Sequence, residues 1–237
     1  MAGKQAVQKR RWFQGLVASQ TTHWGREMKS YQRRVRVLAG GLSALAGFVD
    51  ATGFIGLGGF FVSFMSGNTT RLAVGLAQET AAAATAAGLI AAFVLGVMGG
   101  TWLRRRAPAK PAAWILALVA ALLAVAALCG MRGLMLEAGV AMALAMGAEN
   151  AVFEREGEVH IGLTYMTGTL VKLGQHLVRA LSGDASSAWR SYFLLWLGLA
   201  AGAVAGAALH PWLGMNALWL AALAAAFFAL VAAQMEF

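Results

Sequence analysis

The sequence predicts an all-α integral membrane protein, with six transmembrane helices arranged as two inverted three-helix repeats, each with a broken or re-entrant element carrying a short helix. Three observations lead there: long uncharged apolar runs, a one-sided distribution of cations, and a polar cassette that occurs twice. Of the 237 residues, 59% are hydrophobic and 12% charged, against about 45–50% apolar and about 25% charged in an ordinary soluble domain. Residues 80–103, 111–131, 191–209 and 211–235 carry no Asp, Glu, Lys or Arg, and a bilayer crossing needs roughly 20 apolar residues.

In chain order, residues 1–36 read as a basic cytoplasmic tail with nine Lys and Arg. The tail is not a secretory signal, since it lacks a short apolar core followed by a small-residue cleavage site. Trp12, Phe13, Leu16 and Val17 fall on one helical face, which suits contact with anionic membrane lipids. Repeat one is expected over 37–133, with spans 37–55, 82–103 and 111–130, and repeat two over 134–237, with spans 134–153, 190–209 and 213–233. The tail, the loop 104–110 and the segment between spans four and five hold seventeen of the nineteen cations; Arg71 and Arg132 fall on the alternate side. Positive charge marks the cytoplasmic face, so both termini are expected inside. The same rule accounts for the net charge of +9, and no nucleic-acid binding is predicted.

Two stretches do not fit simple spans. Residues 37–70 contain a single charge, Asp50, over a length well beyond one crossing, and the glycine-rich run 55–61 is a poor uninterrupted helix. Val159–Val171 is uncharged when His160 is neutral and is too short to cross. Both read as elements that enter the membrane, break, and continue as a short helix. Non-helical backbone at that depth must be buried in protein or line a wet cavity.

The cassettes follow these breaks: SFMSGNTTRL from Ser63 and TYMTGTLVKL from Thr164. Met65, Gly67 and Leu72 match Met166, Gly168 and Leu173, with Ser66/Thr167 and Arg71/Lys172 as conservative pairs. Upstream, Gly47, Asp50 and Ala51 match Gly147, Asn150 and Ala151. Three spans per half is an odd number, so the second half enters from the opposite side. Inverted pairs of broken helices build midplane sites in many secondary transporters.

Asn68 is expected to cap its short helix, with Thr69, Thr70 and Arg71 in the first turn. Free backbone amides, hydroxyls and a cation at one point suit an anion. The candidate binding residues are therefore Ser66, Gly67, Asn68, Thr69, Thr70 and Arg71, with Thr167, Gly168, Thr169 and Lys172 in the second half. The alternative for Arg71 and Lys172 is snorkelling to headgroups or pairing with a carboxylate. Asp50, an ionisable residue at membrane depth, is the candidate proton or sodium coupling group, or else a partner of Arg71. Asn150 is its equivalent, with Glu149 beside it. Glu137 is expected at the exposed outer end of span four.

Gly96-x-x-x-Gly100 and Gly198-x-x-x-Gly202-x-x-x-Gly206 are faces for close helix packing, within one chain or across a homodimer. His23, His160, His176 and His210 have no ligand spacing, so no metal is expected, and the single Cys129 reads as a small buried hydrophobe. No cofactor motif or enzyme signature is present. The function these features predict is secondary transport of a small anion or carboxylate-bearing solute. The alternatives are a passive anion channel, and a membrane scaffold or sensor acting through the basic tail.

The run AGFVDATGFIGLGGFFVSFMSGNTTRLAVGLA (46–77) resembles the signature of the YoaK-like family of bacterial inner-membrane proteins of unknown function. The resemblance implies a six-helix inner-membrane protein and implies no substrate.

Overall fold

The computed structural model describes residues 33–107, 109–155, 158–159, 162–183 and 188–235. Trp12, Phe13, Leu16, Val17 and His23 of the basic tail lie outside them, as does His160. The elements are α1 (Arg33–Gly56), α2 (Met65–Ala77), α3 (Ala82–Arg106), α4 (Pro111–Met131), α5 (Met135–Glu149), β1 (Glu154–Arg155), β2 (Glu158–Val159), α6 (Met166–Leu181), α7 (Ala188–Leu213) and α8 (Ala217–Ala233). A 3-10 turn over Asn150–Phe153 extends α5, and another over Gly214–Asn216 joins α7 to α8. Counted with α7 and α8 as one broken helix, seven helices are described.

Among the described residues, five helical stretches are long and apolar enough to cross a membrane: Arg34–Gly56, Ala82–Arg106, Pro111–Met131, Met135–Phe153 and Ala188–Ala233. The segments expected as separate fifth and sixth spans fall within the last stretch, a single 46-residue kinked one. Local chemistry sets several helix ends. Arg104, Arg105 and Arg106 occupy the last turn of α3, where cations complement the helix dipole. Ala107 is extended, as a residue before proline prefers, and Pro111 opens α4, where its missing N–H costs nothing.

The 46-residue stretch Ala188–Ala233 is bent where Pro211 falls in the last turn of α7 and Gly214 takes a φ of +53°. Both of its arms lie against α1. Along α7, Gly198, Gly202 and Gly206 meet Gly40, Ala44 and Phe48 in turn, so α7 runs parallel to α1. Past the bend the order reverses: Met215 lies at Gly56 and Phe228 at Gly41. A second parallel pair forms between α3 and α5, where Gly96 meets Leu144 and Gly100 meets Ala148. Both glycine series anticipated from the sequence are thus used within the chain. At these crossings only glycine fits: a Cβ on Gly47 would overlap the Leu199 carbonyl oxygen, and one on Gly147 the Phe93 carbonyl oxygen.

The core is aliphatic, with Leu42, Ile115, Leu116, Leu123, Met142, Met146 and Leu218 fully buried among α1, α4, α5 and α8. Cys129 is half-buried at its edge. Glu137 lies exposed in the first turn of α5, as expected. The small antiparallel ladder β1–β2, with Glu154 opposite Val159, is an addition to the expected all-helical plan.

Candidate functional site

Two breaks interrupt the helices, and each is followed by a short helix. In the first, residues 57–64 leave helical geometry and their backbone groups need partners. Asp50 on α1 supplies two: its Oδ1 accepts from the Val62 and Ser63 amides, each at 2.8 Å. Asn68 on α2 supplies two more, accepting from the Phe61 amide at 3.0 Å and donating to the Phe61 carbonyl at 2.7 Å. Asn68 thereby serves the extended segment as a neighbouring strand would, and is fully buried.

This corrects the expected cap. The short helix begins at Met65, its N-cap is Phe64 with no side-chain capping bond, and Asn68 stands inside the helix. Thr69, Thr70 and Arg71 are likewise not first-turn residues. The Thr69 and Thr70 hydroxyls donate back to the Met65 and Ser66 carbonyls, at 2.9 and 3.3 Å. Arg71 does not pair with Asp50; its guanidinium lies 4.7 Å from the centroid of the Phe60 ring, against Gly59.

The second break is held by related means. Thr164 Oγ1 donates to Asn150 Oδ1 at 3.2 Å, and Asn150 Nδ2 donates to the Met146 carbonyl at 2.9 Å. The short helix α6 begins at Met166. Thr169, at the position matching Asn68, is buried and donates to the Tyr165 carbonyl at 3.2 Å.

Between the two short helices lies a cavity of about 290 Å³, lined by residues 63–66 around the start of α2, residues 164–168 around the start of α6, and Phe93 of α3. Both helices present their N-terminal ends to it. A first helical turn carries the positive end of the dipole and amides without intrahelical acceptors. Here the Met65, Gly67 and Met166 amides donate to the Ser63, Phe64 and Thr164 carbonyls at 3.1, 3.1 and 3.0 Å, so among the described residues Ser66, Thr167 and Gly168 hold the amides left to a ligand. Of the residues singled out in the sequence, Ser66, Thr167 and Gly168 line this cavity. Gly67 packs against the Phe61 and Phe64 rings, and Arg71 and Lys172 are not among the lining residues. Ser63, Phe64, Thr164 and Tyr165 are also part of the wall. None of the four is among the sequence candidates, although they open the two cassettes.

Glu149 is set apart from this wall. It is fully buried at the end of α5, and neither carboxyl oxygen has a hydrogen-bond partner among the described residues. Further along, Glu154 accepts from Thr101 at 2.8 Å, and Arg104 donates to the Ala151 and Val152 carbonyls at 3.2 and 3.3 Å. Among the described residues no group of His, Cys, Asp and Glu could hold a metal ion.

The family model described as "Protein of unknown function (DUF1275)" matches residues 38–231. The chain belongs to this family. A UPF0700 transmembrane protein of Rhizobium meliloti is 41% identical over 193 residues, covering 79% of this chain and 81% of the relative. This DUF1275/UPF0700 chain is therefore a multi-pass integral membrane protein. The YoaK-like resemblance points to the same family. No solved structure matches it.

Proposed function

We propose that this DUF1275/UPF0700 protein is a secondary transporter of a small anion or carboxylate-bearing solute, bound between the N-terminal ends of α2 and α6. The observation that carries the reading is the cavity they share, with serine and threonine on opposite walls. A helix N-terminus favours an anion without requiring a cationic side chain, and discontinuous helices use this in transporters. A volume of about 290 Å³ lies at the lower edge of the roughly 300–1,000 Å³ of small-molecule pockets, which favours a small metabolite.

Two further patterns support inverted repeats. Gly47 meets Leu199 and Ala203 as Gly147 meets Phe93 and Val97; Gly202 meets Ala44 as Gly96 meets Leu144; Gly206 meets Phe48 as Gly100 meets Ala148. These contacts exchange under a single operation that swaps α1 with α5 and α3 with α7. Burial also repeats along the breaks. Val62 and Ser63 are buried while Phe64 and Ser66 are exposed; Leu163 and Thr164 are buried while Tyr165 and Thr167 are exposed. Counting both arms of Ala188–Ala233 as crossings supports a six-span reading, and the cation distribution supports both termini facing the cytoplasm.

The intramembrane carboxyls Asp50 and Glu149 are the coupling candidates. Asp50 already holds two amides. Glu149, with no hydrogen-bond partner among the described residues, is the better placed to exchange a proton or bind sodium.

The test is counterflow of labelled small carboxylates in proteoliposomes. Saturable counterflow in the wild type, lost in Ser66→Leu and Thr167→Leu, is the expected result. Flux that never shows counterflow would favour a passive channel, and absence of any ligand-dependent flux would contradict the reading.

A further inference from the structure

Two further cavities lie along α1, away from the short helices. The larger, about 660 Å³, has Arg34 and Gln234 at its polar end and an otherwise apolar wall from α1 and α8. The other, about 360 Å³, is a separate cavity further along α1 between the two arms of the α7–α8 hairpin, with a wall formed by apolar residues; the Phe228 ring, packed on Gly41, stands between the two. Phe228 borders both. Small side chains, including Ala44, Ala205 and Ala221, leave the space between the arms unfilled.

We propose that this groove is a binding site for one anionic phospholipid, with its phosphate at Arg34 and Gln234 and an acyl chain along α1 between α7 and α8. The charge pattern suits that occupant. Arg34 and Gln234 are exposed, among the described residues no carboxylate lines either cavity, and Arg33 and Arg36 flank Arg34 in sequence. Basic clusters at the cytoplasmic end of a span attract anionic headgroups.

The length suits it too. From Arg34 to Phe48 the two cavities together follow α1 for about 20 Å at 1.5 Å per residue, and a rotation of the Phe228 side chain would join them. That accommodates a headgroup and an acyl chain reaching through one leaflet, half of a hydrocarbon core about 30 Å thick. A soluble phosphate would satisfy the polar end and leave the apolar length empty. The site is separate from the proposed solute cavity, with which it shares no lining residue.

The test uses the full-length protein, delipidated in detergent, and follows its melting temperature during titration with phosphatidylglycerol, with phosphatidylcholine of the same chains, or with inorganic phosphate. Wild type, Arg34→Gln and Ala205→Trp are compared. Arg34 and Ala205 are both exposed, so neither change enters the core. The expected result is a saturable rise with phosphatidylglycerol alone. Arg34→Gln should raise the half-effect concentration at least about fivefold, and Ala205→Trp should abolish the rise.

Equal effects of both lipids, reproduction of the rise by phosphate, or unchanged behaviour of both variants would overturn the proposal. So would a change in oligomeric mass in Ala205→Trp, which would place a second copy in the groove. A lipid-insensitive wild type whose lipid-free melting temperature falls in Ala205→Trp would also overturn it, and would point instead to residues 1–32 as the occupant.

Discussion

Asn68 replaces, with one side chain, the hydrogen bonds that Phe61 loses where the helix breaks. Removing it leaves a part-buried amide and carbonyl unpaired, and each such group costs about 1–3 kcal/mol. Asn68→Ala should therefore lower unfolding stability by about 2–4 kcal/mol, measured by denaturation in mixed micelles. Thr169→Val, at the matching position, should cost less than about 1 kcal/mol, because Thr169 bonds back to its own helix. The importance of Asn68 is legible in the sequence, but its task is not. Asn-Thr-Thr has the composition of a helix start; a contact with Phe61, seven residues earlier, overrides that local preference.

The parallel crossings of α1 with α7 and α3 with α5 depend on glycine. Gly47→Val and Gly147→Val should each prevent recovery of monodisperse protein in size-exclusion chromatography, since a side chain there meets a neighbouring helix backbone. Gly88→Ala and Gly99→Ala, with open space around them, should be neutral or stabilising by about 0.5–1 kcal/mol. The small-xxx-small spacing announces close packing, but not the partner or the sense of the crossing, because both helices of a pair carry similar patterns. The α7–α8 bend is legible as two apolar runs meeting near Pro211. The β1–β2 ladder is not, since two-residue strands have no periodicity to detect.

At the scale of the whole molecule, long apolar runs make the membrane class readable, and the repeated cassette marks the two broken elements. The cavity is only half readable: Ser66, Thr167 and Gly168 line it, whereas Arg71 and Lys172 do not. Sequence spacing alone does not separate helix starts from later turns. The proposed orientation predicts that a cysteine at Glu137 reacts with an impermeant maleimide in intact spheroplasts, and that one at Lys110 reacts only after lysis. Reversed labelling would reject the orientation.

The most direct measurement of the central claim is a thermal-shift titration of wild type, Ser66→Leu, Thr167→Leu and Arg71→Gln with small carboxylates. A site between the two helix N-termini predicts a saturable shift in wild type and Arg71→Gln, and none in the two cavity variants. A shift that survives in Ser66→Leu and Thr167→Leu but disappears in Arg71→Gln would contradict it.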